Sequence, residues 1–176
     1  MRGTNRVDML FAIGHPLYDV VCGSPLVFKV IKVDPDAIVP CKARGSDVGY
    51  DLTVIKVAKV MRPGSTIMYD SGIQVRIPWG YYIEIVPRSS LSKSGWMLAN
   101  TIGIIDPSYQ GNLLVALVRV DPTAPEIELP FRGFQLIVRR QHHMKICDGN
   151  DNGNDDNDDN DIVTTRGTGG FGSTNA

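Results

Sequence analysis

Short β-branched runs, broken at close intervals by glycine and proline, fill the middle of this 176-residue chain and constrain its fold more than any other feature. Residues 73–77 (Ile-Gln-Val-Arg-Ile) alternate strictly, which puts Ile73, Val75 and Ile77 on one face and Gln74 and Arg76 on the other. Residues 112–120 (NLLVALVRV) are almost continuously apolar and read as a strand covered on both faces. Further strands are expected at 26–33, 51–60, 65–69, 81–86 and 134–140, with turns at Arg62-Pro63-Gly64, Ser71-Gly72 and Pro78-Trp79-Gly80. No long window repeats its apolar residues every 3.6 positions. The expectation is an all-β sandwich or barrel with at most one short helix, at 88–95.

The length suits one core with an appendage. Lys and Arg number 18 against 19 Asp and Glu, a formal charge of −1, which argues against a general nucleic-acid or membrane-surface binder. Seven of the acids (Asp148, Asp151, Asp155, Asp156, Asp158, Asp159, Asp161) crowd one run, however, so the remainder holds 18 basic against 12 acidic residues. A basic body suits an anionic ligand. Cys22, Cys41 and Cys147 form neither a disulfide framework nor a CxxC pair and read as reduced thiols. No apolar stretch reaches the roughly 18–20 residues that span a bilayer, and the first residues lack a clear leader pattern, so the reading is soluble and intracellular.

The sequence divides into an extension at 1–24, a β domain at 25–147, an acidic low-complexity linker at 148–161 and a glycine-rich arm at 162–176. The linker partly matches a calcium-loop spacing through Asp148, Asn150, Asn152, Gly153 and Asp159. It lacks the final glutamate and framing helices, so the linker reading is preferred. His142, His143 and Cys147 lack a fourth metal ligand and read as a solvated strand end.

Five segments carry polar chemistry. Arg166-Gly-Thr-Gly-Gly-Phe-Gly-Ser-Thr174 can wrap phosphate with backbone N–H groups, although Ser173 stands where a Walker lysine would, which excludes a nucleotide-triphosphatase P-loop. A plain glycine spacer is the alternative, against which stand Arg166 and Phe171. Pro87-Arg88-Ser89-Ser90-Leu91 offers a guanidinium and two hydroxyls at a strand end, or else a serine N-cap. Residues 100–112 (NTIGIIDPSYQGN) hold Asp106 and Tyr109 in a turn between two strands, and Asp-Pro is also a common turn former. Ala43–Leu52 (ARGSDVGYDL) brings two acids to a tight turn, and Gln135 begins a strand in RGFQL.

Together these residues resemble the trimeric deoxyuridine triphosphate nucleotidohydrolases, the dUTPases. Five motifs of that family appear in order: GYDL at 49–52, PRSSL at 87–91, GIIDPSYQG at 103–111, FQLIV at 134–138 and RGTGGFGST at 166–174. The resemblance implies a jelly-roll-like β fold, and a homotrimer whose sites are each assembled from three subunits and completed by an exchanged C-terminal arm. It implies dUTP as substrate and Mg²⁺ as cofactor, with no nucleic-acid or membrane partner. Asp106 would be the catalytic carboxylate and Tyr109 would lie against the deoxyribose. The hairpin around Asn100, Gly103, Ile104, Ile105 and Leu114 would read uracil, largely through backbone groups. Arg88, Ser89, Ser90 and Gln135 would hold the α- and β-phosphates. Arg166, Ser173 and Thr174 would take the γ-phosphate, with Gly170 and Gly172 flanking Phe171 as it stacks on the base. Asp51 would hold waters of the metal ion without ligating it directly.

Ser90, Pro130 and Phe134 depart from the usual residues of motifs two and four. A related dCTP deaminase would need a glutamate five residues beyond Gly111, where Ala116 stands, so deamination is disfavoured; a non-catalytic binding or regulatory member on the same scaffold is the other alternative. The 18 residues from Asp148 to Thr165 would span about 25 Å as a flexible coil. The body of the chain has an expected radius of gyration of about 14 Å, so the arm can cross a subunit interface.

Overall fold

The computed structural model describes residues 27–144 and 146. The chain divides into two compact units, Met1–His143 and Met144–Ala176. In the second, only Met144 and Ile146 are described, so the expectations for 148–161 and 162–176, like those for 1–24, lie outside the described residues.

The first unit is nearly all β, as its alternating runs require. Its strands are β1 (Lys29–Lys32), β2 (Tyr50–Val54), β3 (Lys56–Arg62), β4 (Thr66–Asp70), β5 (Ile73–Arg76), β6 (Tyr81–Pro87), β7 (Trp96–Leu98), β8 (Gly103–Ile105), β9 (Leu114–Arg119) and β10 (Phe131–Arg140). They form two four-stranded sheets, ordered β2-β10-β6-β8 and β3-β4-β9-β7, and a β1-β5 pair. Every pairing between these strands is antiparallel. The apolar faces meet in one core that includes Leu52, Val54, Tyr69, Ile83, Ile85, Leu117, Phe134 and Leu136. Ile73, Val75 and Ile77 are buried there while Gln74 and Arg76 are half exposed, as the alternation requires.

Four expectations are corrected. The run 51–60 is two strands: β2 pairs with β10 and β3 with β4, and between them the Ile55 N–H donates to the Asp70 carbonyl at 2.8 Å. The run 112–120 is not covered on both faces. Val115 and Leu117 are buried, whereas Leu114 is exposed and Ala116 and Val118 are half exposed. In place of a helix over 88–95 there is one 3₁₀ turn, Ser89–Lys93, with Arg88 at its N-cap and no side-chain capping bond, so the serine N-cap reading fails. Finally, the two strands flanking the Asp106 turn are not partners of each other. β8 pairs with β6, and β9 pairs with β4 and β7, so the turn bridges two sheets.

Candidate active site

The order β2-β10-β6-β8 lines up four of the five sequence motifs side by side, although they are far apart in the chain. Gln135 of β10 lies opposite Asp51 of β2 on one side and Val86 of β6 on the other. Pro87 and Arg88 follow at the end of β6. The inward neighbours Phe134 and Leu136 are fully buried, which turns Gln135 to the outer face.

At that end the side chains are tightly connected. The Arg88 backbone N–H donates to the Gly133 carbonyl at 2.8 Å, and its Nη1 donates to the Arg132 carbonyl at 2.9 Å. Its Nε lies 2.8 Å from Asp51 Oδ1, while Arg132 Nη1 stands 3.7 Å from Asp51 Oδ2. Gln135 Nε2 donates to the Pro87 carbonyl at 3.2 Å. Two guanidiniums thus flank one half-buried carboxylate, with the exposed Ser89 and Ser90 next along the chain. That set suits the oxygens of a polyphosphate, since guanidiniums donate in a planar fork. Next to it a pocket of about 350 Å³ is lined by Arg88, Ser89, Leu91, Trp96 and Leu98 among others.

Three of these contributions were not assigned from sequence. Arg132 joins Arg88 on Asp51. Gly133 lends its carbonyl to Arg88. Gly49 makes room for Gln135, because a Cβ at residue 49 would stand 2.2 Å from Gln135 Oε1. The RG before FQLIV and the glycine of GYDL were the available signals, and only the strand pairing gives them meaning.

Asp106 lies elsewhere. Gly103 is opposite Ile85 and Ile105 opposite Ile83, so Asp106 leaves the sheet at the level of Tyr82. Four residues along β6 separate that level from Val86, or about 13 Å at strand rise. Within one chain, therefore, the motif-three carboxylate and the Asp51–Arg88–Gln135 group lie at opposite ends of β6. The Asp106 side chain is exposed. Asp34, Asp47, Asp70 and Asp121 each accept a backbone N–H with a carboxylate oxygen, as turn-forming aspartates do. Asp106 takes no such bond among the described residues; its turn is closed by the backbone instead, through Tyr109 N–H to the Asp106 carbonyl at 3.0 Å.

Around that turn, Tyr109 is exposed and its hydroxyl donates to the Asn112 carbonyl at 2.9 Å. Ile104 is 54% exposed and Asn100 is exposed. β8 is the edge of its sheet, so one side of Gly103–Ile105 has no strand partner among the described residues. Such an edge presents main-chain donors and acceptors to a ligand. Arg166, Gly170, Phe171, Gly172, Ser173 and Thr174 lie outside the described residues.

The dUTPase family model matches residues 35–175, four fifths of the chain. The chain belongs to the dUTPase family. A deoxyuridine 5'-triphosphate nucleotidohydrolase of Rhodococcus erythropolis is 36% identical over 145 residues, covering 81% of this chain and 82% of its own. That of Escherichia phage T5 is 36% identical over 121 residues, or 67% and 74% of the two chains. Among solved structures, the Staphylococcus bacteriophage 80alpha dUTPase with dUPNHPP superposes with a TM-score of 0.67 at 21% identity, covering 85% of this chain and 99% of that one, and so shares the fold. The departure at Phe134 fits this scaffold: its ring points inward, edge-on to Phe131 at 5.8 Å between ring centres, away from the face that carries Gln135.

Proposed function

We propose that the chain hydrolyses dUTP to dUMP and pyrophosphate, in sites that three copies build together. The observation that carries this reading is the separation along β6. A phosphate-binding end with Asp51, Arg88 and Gln135 and a carboxylate-bearing turn with Asp106 cannot serve one substrate from within a single chain, but a neighbour can supply the second. The outer face of the β3-β4-β9-β7 sheet, with the apolar Met97 and Leu114 exposed on the side away from Val115 and Leu117, supports packing against further copies.

In this reading, Asp106 accepts a proton from water as that water attacks the α-phosphorus and pyrophosphate leaves. Its exposure, and its freedom from turn bonding, suit a base that must meet both water and substrate. Arg88, Ser89, Ser90 and Gln135 hold the α- and β-phosphates, while Arg166, Ser173 and Thr174 of the arm take the γ-phosphate. Tyr109 packs on the deoxyribose and refuses a 2′-hydroxyl. Uracil is read by backbone groups at Asn100, Gly103, Ile104, Ile105 and Leu114, and Phe171, between Gly170 and Gly172, stacks over it. Cytosine presents the opposite donor-acceptor pattern to the same backbone and leaves buried groups unpaired.

The described residues hold no group of three His, Cys, Asp or Glu side chains that could cage a metal. That fits Mg²⁺, which keeps several waters and binds through one or two carboxylates and substrate phosphates. Asp51, with guanidiniums on both oxygens, would hold the ion's waters. When bound, the ion neutralises charge developing on the phosphate oxygens.

The test is hydrolysis of dUTP in ¹⁸O-labelled water with the wild type and Asp106→Asn. Label in dUMP, together with a loss of at least about a hundredfold in the variant, is expected. Label in pyrophosphate, or equal rates, would refute the mechanism.

A further inference from the structure

Asp70 is a buried carboxylate that the mechanism does not use, with 7% of its surface exposed at the end of β4. A buried carboxylate has to be hydrogen-bonded, and the partners of this one lead to the site. Its Oδ1 accepts the Gly72 N–H at 2.7 Å and its Oδ2 accepts Asn112 Nδ2 at 3.0 Å. Asn112 Oδ1 in turn accepts Gln74 Nε2 at 3.2 Å, and Gln74 Oε1 accepts Arg76 Nη2 at 3.4 Å. The chain has a direction. A guanidinium can only donate and a carboxylate can only accept, so the two ends fix the orientation of both carboxamides between them.

Tyr109 joins this chain at its middle, through the backbone of Asn112. Its hydroxyl donates to the backbone carbonyl of the clamped Asn112. Gly111 leaves the space in which it does so, since a Cβ there would stand 2.5 Å from the hydroxyl oxygen. The same stretch is fastened on its other side, where the Ser71 hydroxyl donates to the Leu113 carbonyl at 2.8 Å and the Leu113 N–H to the Ile73 carbonyl at 2.8 Å. Tyr109 itself is 40% exposed, so little packing holds its ring and the hydroxyl is its anchor.

We propose that Asp70 and Asn112, with Gln74 and Arg76, are positioning residues for sugar discrimination: they fix the Asn112 carbonyl and, through it, the plane of the Tyr109 ring. This rests on the reading of Tyr109 as the group that refuses a ribose. An aromatic ring excludes one extra hydroxyl only if it cannot tilt away, and an error of about 1 Å in such a contact costs on the order of a hundredfold.

The experiment measures kcat/KM for dUTP and for UTP. Partial unfolding lowers both in proportion and leaves their ratio unchanged, so the ratio separates positioning from stability. Asp70→Asn sets two amide groups donor to donor and is expected to lower the dUTP preference by about tenfold or more. Tyr109→Phe, on the surface and without consequence for folding, is expected to do the same. The double variant Asp70→Asn/Asn112→Asp reverses one bond yet satisfies every donor and acceptor in the chain, and is expected to restore the preference to within about threefold of wild type. An unchanged ratio in Tyr109→Phe or in Asp70→Asn overturns the proposal, as does a double variant no better than Asp70→Asn. Tyr109→Ala distinguishes the two layers. A collapsed ratio there, with the Asp70 variant unaffected, overturns only the positioning chain; an unchanged ratio overturns the sugar reading and this inference with it.

Discussion

Gly49→Ala tests how the phosphate-binding end is built. The new methyl would stand 2.2 Å from Gln135 Oε1 and 2.8 Å from its Cδ, against an ordinary contact of 3.4 Å or more, so the carboxamide must retreat by about 1.2 Å. The carboxamide end moves most, Gln135 Cβ at 3.0 Å has to give by a few tenths of an ångström, and the side-chain bond at stake is from Gln135 Nε2 to the Pro87 carbonyl. Stability is therefore expected to fall by about 1 kcal/mol or less. A displacement of that size at a substrate-holding group is expected to cost about a hundredfold in kcat/KM for dUTP. If the whole effect passes through Gln135, then Gly49→Ala combined with Gln135→Ala will be no slower than Gln135→Ala alone. Steady-state kinetics on the two single variants and the double, with urea unfolding of each, make the cycle. Additive losses, or a stability loss of several kcal/mol from Gly49→Ala alone, would refute the reasoning.

Three further outcomes follow from the geometry. Phe134 is fully buried and edge-on to Phe131, so Phe134→Ala should cost about 3–5 kcal/mol in denaturant unfolding. Thr101 sits at φ 62° with a β-branched side chain, so Thr101→Gly is expected to stabilise the fold by about 1 kcal/mol, read as a higher Tm. The Tyr82 hydroxyl donates to Glu84 at 3.1 Å, and this bond raises its pKa above the ordinary tyrosine value. A raised folded pKa means that the folded state keeps its proton longer than the unfolded chain. Its stabilising contribution is therefore whole below about pH 10 and lost as pH rises through the folded value. Ultraviolet titration of the phenols should show late transitions for Tyr69, whose burial raises it, and for Tyr82, and only one of them should move down in Glu84→Gln; late transitions that both stay in place would exclude Glu84 as the cause of the Tyr82 shift.

The strands were legible in the sequence wherever one face is buried. The alternation at Ile73, Val75 and Ile77 followed from a period of two, and β10, expected at 134–140, begins three residues earlier at Phe131. A period of two names a face and not a partner. The break at Ile55 is made by β2 and β3 choosing different sheets, which their shared apolar run 51–60 does not reveal. β7 and β8 are three residues each, too short to show any period. β9 looked buried on both faces because its second face is apolar, yet in one chain that face stays open. Within the candidate site, Arg88, Gln135 and Asp106 stood out by residue type. The supporting roles of Gly49, Arg132 and Asp70 come from cross-strand register, which no local pattern encodes.

The shared site is tested most directly by mixing two inactive variants, Arg88→Ala and Asp106→Asn, through unfolding and co-refolding in equal amounts. In a cyclic trimer, every mixed assembly contains one junction at which an intact Arg88 of one copy meets an intact Asp106 of the next. Three quarters of random trimers are mixed and one site in three is whole, so about one quarter of wild-type dUTP hydrolysis should return. Activity no higher than that of the separate variants would mean that both residues serve from one chain, and would contradict the account.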